Sequence, residues 1–197
     1  MIGVIEQAIV DRIRSASEAG ALGYYLRTVA SYGGELADLA VAVRSFPAVW
    51  VAFAGERRAE PSGPGYLHDG IFTLFVGVQS RRGDRAARLG VDGEPGSLQV
   101  LEDVRAILAG DWLGLDIGPL TPVQVRSISQ LAEASVYACD LSTQWISVPA
   151  SATGAEPADF LRLHLDWDIP PHGNVVAPLP AAAADAQADV TLEGASA

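Results

Sequence analysis

The apolar positions of the opening segment recur three and four residues apart. Ile2, Ile5, Ile9 and Ile13 fall on one side of a helical wheel, while Glu6, Gln7, Asp11 and Arg14 lie largely elsewhere. That spacing predicts an amphipathic helix over residues 2–18. Gly20 and Gly23 break the pattern. The run Tyr-Tyr-Leu-Arg-Thr-Val-Ala at 24–30 is enriched in aromatic and β-branched side chains and predicts a short strand. After a turn at Gly33-Gly34, Leu36, Leu39, Ala40 and Val43 share one face of a second helix, about 35–45. Phe46-Pro47 ends it, because the residue before a proline is pushed out of the α region.

Residues 48–54 are a continuous apolar run, as expected of a strand central in a sheet. The Gly, Pro and charge content of 55–65 predicts a loop. Phe72, Leu74, Val76 and Val78 alternate within a long strand over 66–79. A basic loop or helical turn follows. Ser97 is the expected cap of a third helix reaching Ala109, with Leu98, Leu101, Val104 and Leu108 as its buried stripe and Gly110 as its stop. Strands are expected at 121–131 and 135–148. Between 161 and 169 every odd position is apolar, which describes a strand with one wet face. The order of elements predicts an α+β fold: a mixed or mainly antiparallel sheet with helices packed on one face. Residues 1–169 are expected to form one domain. The remaining 28 residues are rich in Ala and Pro and carry little to bury, so this tail should be ordered only by a partner.

Composition narrows the chemistry. The chain carries 24 acidic and 13 basic side chains in 197 residues, a net charge of −11, and every basic residue is Arg. Without lysine there is no P-loop lysine, Schiff base or lysine general base. The acidic balance disfavours gripping nucleic acid phosphates. The single Cys139 can make neither an intrachain disulfide nor a cysteine-based zinc site. No run of about 18 apolar residues could span a membrane, and Met1–Glu6 lacks the pattern of a secretory leader, so a soluble protein made in a cytoplasm is expected.

Few side chains suggest a reaction. His164, Asp166 and Asp168 share one face of the 160–169 strand at about 6.5–7 Å intervals. A divalent metal could use them, but ligands along one strand need a second element to close the shell. His68-Asp69, beside Gly70, reads as the start of a strand, since a dyad also needs a nucleophile and an orienting group that the sequence does not identify. Cys139 reads as packing within a strand. Trp50, Trp112, Trp145 and Trp167 read as core. Arg57, Arg58, Arg81, Arg82, Arg85 and Arg88 are the candidate subunit-interface residues, because arginine is the favoured interface cation and six of 13 fall in two short segments.

Three stretches together resemble a known family: the opening helix Ile5–Ile13 followed by Ser31-Tyr32-Gly33-Gly34-Glu35-Leu36, then Phe46-Pro47-Ala48-Val49-Trp50-Val51-Ala52-Phe53-Ala54-Gly55, and later Leu165-Asp166-Trp167-Asp168-Ile169-Pro170-Pro171. They resemble the tail terminator family of Mu-like phages and prophages, small proteins encoded just before the tail sheath and tube. The similarity covers most of residues 1–171 and leaves out the Ala/Pro tail.

The resemblance implies a virion structural protein with no catalytic residue and no cofactor. Six copies would form a ring on the finished tail tube, end its polymerisation and join tail to head. Its partners would be further copies of itself, the tube protein, the sheath protein and the neck or connector proteins. DNA would only pass through the lumen, which the acidic excess would partly line. No membrane is involved. Three other readings stay open: a head-completion or neck adaptor, a small metal-dependent enzyme using His164, Asp166 and Asp168, and a monomeric binding module.

Overall fold

The structure, a computed structural model, describes residues 1–37, 39–91, 93–131, 134–150, 162–167 and 186–191. Five strands form one mixed sheet in the order β1-β2-β3-β5-β4: β1 is Thr28–Ser31, β2 Ala48–Ser62, β3 Gly65–Gln79, β4 Thr121–Leu131 and β5 Ala134–Ser147. Only the β1–β2 pair is parallel. The fold is therefore α+β, as its sequence pattern predicts.

Helix α1 (Ile2–Glu18) buries Ile5, Ile9, Val10 and Ile13, and α4 (Ser97–Leu108) buries Val100, Leu101, Val104 and Leu108. Both stripes meet Val49, Val51, Phe72, Leu74, Val76, Cys139 and Leu141 in the main core. Each fully buried large aliphatic or aromatic side chain in it contributes about 1.5–3 kcal/mol of transfer free energy. The Ser17 hydroxyl accepts a hydrogen bond from the Leu26 amide at 2.9 Å and fastens the turn that leaves α1.

Period-two alternation along β2 turns Ala48 and Trp50 to the other face of the sheet. There they meet Phe46, Ala134, Val136 and Phe75 in a second, smaller cluster. Its cover is the segment expected as one helix over 35–45. That segment is instead three short pieces: 3₁₀ turns at Glu35–Ala37 and Val43–Ser45 around α2 (Leu39–Ala42). Phe46 is extended, as its proline demands, and its ring seats over Gly77, where a Cβ would lie 2.2 Å from the ring.

Two further differences have physical causes. Residues 55–65 are not a loop: β2 and β3 pair as far as Ser62↔Gly65, with register slips at Phe53/Gly55 and Glu56/Arg58, only Gly63-Pro64 turns, and Gly63 takes the positive φ of 56°. Charged side chains suit this ribbon because most of its outer strand is exposed. Ser97 does not cap α4. Gly96 occupies that position, and the Ser97 hydroxyl hydrogen-bonds Ser135 at 2.9 Å in the interior. The basic segment after β3 holds a short helix, α3 (Asp84–Leu89).

The chain divides into two compact units, Met1–Pro149 and Ala150–Ala197. In the second, β6 (Arg162–Trp167) pairs antiparallel with β7 (Ala186–Thr191). A strand thus lies within the Ala/Pro-rich segment. The rest of that segment, and Asp168, lie outside the described residues.

Candidate assembly interface

The two edges of the five-stranded sheet differ. β1 is four residues long, and the carbonyl of its Val29 already accepts a hydrogen bond from Arg14 Nη2 at 2.9 Å. β4 spans 11 residues, pairs among the described residues only with β5, and leaves Val123, Val125 and Ile128 each more than 40% exposed. The register slips on either side of Val123 and Ile128. These bulges and Pro122 interrupt the ladder, and between them Gln124–Arg126 pairs in regular register with β5. A long apolar edge of this kind is a template for another chain.

β4 is bound to the sheet by a buried carboxylate. Asp140, 4% exposed, accepts hydrogen bonds from Thr73 at 2.6 Å, Gln124 at 2.7 Å and Arg126 at 2.9 Å. The donors come from both neighbours of β5, so one side chain ties three strands.

The six candidate interface arginines separate into two groups. Arg57 lies 3.0 Å from Asp69, and Arg58 lies 3.3 Å from Glu60, so the β2–β3 arm satisfies its own cations. Arg81, Arg82 and Arg85 are exposed, and their guanidinium groups make no described hydrogen bond or ion pair. Arg88 is half-buried on α3. Arg81 and Arg82 join Arg27 around a cleft of about 710 Å³ at the end of β3, floored by Phe46, Pro47 and Pro95, with Glu94 at its side.

His68 also gains partners the sequence left unidentified. It lies near the start of β3, as its sequence suggests, and its Nε2 is 2.6 Å from Ser147 Oγ. Its Nδ1 is 3.2 Å from Glu56 Oε1, and its ring stacks on Trp145 at 5.3 Å. Ser147 is 79 residues away in the chain, which is why no local motif marks it. Serine, imidazole and carboxylate stand in the order of an acyl-transfer triad. Ser147, however, ends a regular strand paired with Tyr66, not a strained turn that thrusts a nucleophile outward. The imidazole here joins Glu56, in the middle of β2, to the end of β5 across β3.

Three groups are shifted in pKa. The Asp111 carboxylate is lowered, first by the Leu113 amide that donates to it at 2.8 Å and then by Arg12, 2.9 Å away. Burial, reinforced by the hydrogen bond to Asp103, raises the Tyr24 phenol well above its usual value. Burial pushes the Cys139 thiol up to about 11, and it packs in the core as its position in a strand suggests.

His164 and Asp166 fall on β6, in register with Asp189 and Gln187 of β7. Among the described residues no three His, Cys, Asp or Glu side chains cluster as metal ligands. No helix among them is long and apolar enough to cross a membrane.

No curated protein matches the chain significantly. The family model described as Bacteriophage Mu, Gp37 matches residues 1–146, which takes in both core helices and all five strands of the sheet but for the last residue of β5. A match over that share of the chain shows membership: the protein belongs to the bacteriophage Mu Gp37 family, and so is a phage structural or morphogenesis protein.

Proposed function

We propose that this chain is a tail terminator that acts as a ring, six copies closing over the end of the tail tube. The observation that carries the reading is the exposed apolar β4, the last strand of the sheet among the described residues, on a member of a Mu phage family. A ring needs each copy to offer two different surfaces to its neighbours. The long edge β4 and the short, arginine-capped edge β1 are two such surfaces on opposite sides of one sheet. Strand addition at an edge supplies main-chain hydrogen bonds without requiring a pocket.

The action is geometric. Binding the last tube ring removes the site where the next would add, and the opposite surface receives the neck. The chain's acidic excess keeps passing DNA from adhering to the lumen. In this reading the protein turns over no substrate and carries no cofactor.

The test is electron microscopy of particles assembled without the protein. Overlong or headless tails are expected. Tails of normal length joined to heads would refute the reading. Tails of normal length that lack heads would move the chain to the neck adaptor position.

A further inference from the structure

The cleft at the end of β3 has a specific use that rests on the ring reading above. We propose that Arg27, Arg81 and Arg82 form a socket for a carboxylate-bearing surface of a second copy of this chain.

The argument starts from charge. Copies carrying −11 repel one another, and repulsion must be relieved wherever two of them meet. Five of the described arginines cannot do this. Arg12, Arg14, Arg57, Arg58 and Arg126 are each spent on a carboxylate of their own chain. Arg81 and Arg82 are not. Arg27, which also lines the cleft, gives one nitrogen to the Arg44 carbonyl at 2.9 Å. Among the described residues, Glu94 is the only acidic side chain lining the cleft.

The chemistry of the walls selects the occupant. Planar guanidinium groups pair with carboxylates through two parallel hydrogen bonds. Pro47 and Pro95, half-buried in the lining, add apolar surface that a partner can cover. Interfaces of this composition, arginine around apolar side chains, match those between proteins. With 24 acidic residues, a second copy has carboxylates to offer. Seating arginines between copies also leaves the acidic excess on the surfaces that stay open, the lumen among them.

The absence of lysine makes a clean test. The double variant Arg81→Lys/Arg82→Lys keeps the charge and introduces the chain's only side-chain amines. Full-length variant protein, under conditions where native mass spectrometry shows wild-type rings, is treated with a carbodiimide, which joins amines to touching carboxylates. Mixed light and heavy isotope preparations separate links between copies from links within one. Links between copies are expected from the introduced amines. The exposed charge reversal Arg81→Glu/Arg82→Glu should lower association at low salt at least tenfold, with Tm unchanged.

Rings that persist in the charge-reversed variant, or links confined to Glu94 of the same copy, would overturn the socket and leave the ring standing. Links only to another virion protein in assembled particles would overturn it equally. Wild-type protein that never forms a ring, alone or on tubes, would remove the ring reading and the socket with it.

Discussion

Arg126 reaches diagonally across two strands to place Nη1 2.9 Å from Asp140 Oδ2, binding the exposed edge strand to the buried one beside it. The two ends of this pair are unequal. Arg126 is about half exposed, whereas Asp140 is buried and holds two other donors. Arg126→Ala lets water reach the carboxylate, which keeps Thr73 and Gln124. Asp140→Ala leaves the Thr73 hydroxyl buried without its acceptor and frees β4 from its ties. We expect Asp140→Ala to cost about 1–3 kcal/mol and Arg126→Ala less, as read from urea midpoints. The reverse order would show that the charge pair, not the buried network, holds the edge.

Gly77 is a packing requirement. A methyl group there would lie 2.2–2.9 Å from three atoms of the Phe46 ring, which is itself buried. The ring would have to leave its seat, and with it the cover of the second core cluster. Gly77→Ala should cost about 1–3 kcal/mol by overpacking. Gly93→Ala meets no atom within 4 Å but sits at φ +80°, so it reports backbone strain alone. A cost at Gly77 no larger than at Gly93 would mean that Phe46 moves freely.

Much of this architecture is written in local patterns. The isoleucine stripe of α1 and the alternation of Phe72, Leu74, Val76 and Val78 both describe surfaces that a single core must cover. What escapes is set by distant partners. The arm at 55–65 looks like a loop because exposed ribbons and loops share a composition, and only pairing with β3 separates them. Ser97 looks like a cap, yet its hydroxyl meets Ser135, 38 residues on. The six arginines look alike in sequence. Asp69 and Glu60 divide them, since those carboxylates satisfy Arg57 and Arg58 and leave Arg81 and Arg82 open.

The Cys139 thiol gives the fold an alkaline weakness. Its folded pKa of about 11 lies above the unfolded value near 8.5. The neutral thiol is thus favoured in the folded state. Its contribution is full below about pH 8.5 and is lost as pH rises toward 11. Tyr24, raised in the same direction, acts with the same sign. Tm measured from pH 8 to 11 should fall less steeply in Cys139→Ala than in the wild type. In the folded protein the thiol should also resist alkylation at pH 8 until denaturant is added. Rapid native labelling would show that the strand opens.

His68 and Ser147 allow a check on whether the chain catalyses a reaction. If the imidazole only joins strands, a fluorophosphonate probe will leave Ser147 unlabelled in the folded protein. His68→Ala will then lower stability and change nothing else. Stoichiometric labelling of Ser147 that His68→Ala abolishes would make this an activated nucleophile and the chain an enzyme.

The edge of β4 and the arginine cleft can be separated by salt. Val125 is 41% exposed, so Val125→Lys should alter monomer stability by no more than about 0.5 kcal/mol. At an unpaired edge, however, a lysine is one of the devices that prevent strand addition. The variant should keep its Tm and lose ring formation at every ionic strength, because the missing interaction is main-chain pairing. Variants of Arg81 and Arg82 act through charge, which about 1 M salt screens to within roughly 3 Å, so the difference between wild type and charge-reversed protein should shrink there. Native mass spectrometry across a salt series reads both. A Val125→Lys chain that still closes rings would exclude β4 from the contact and leave the cleft to account for assembly.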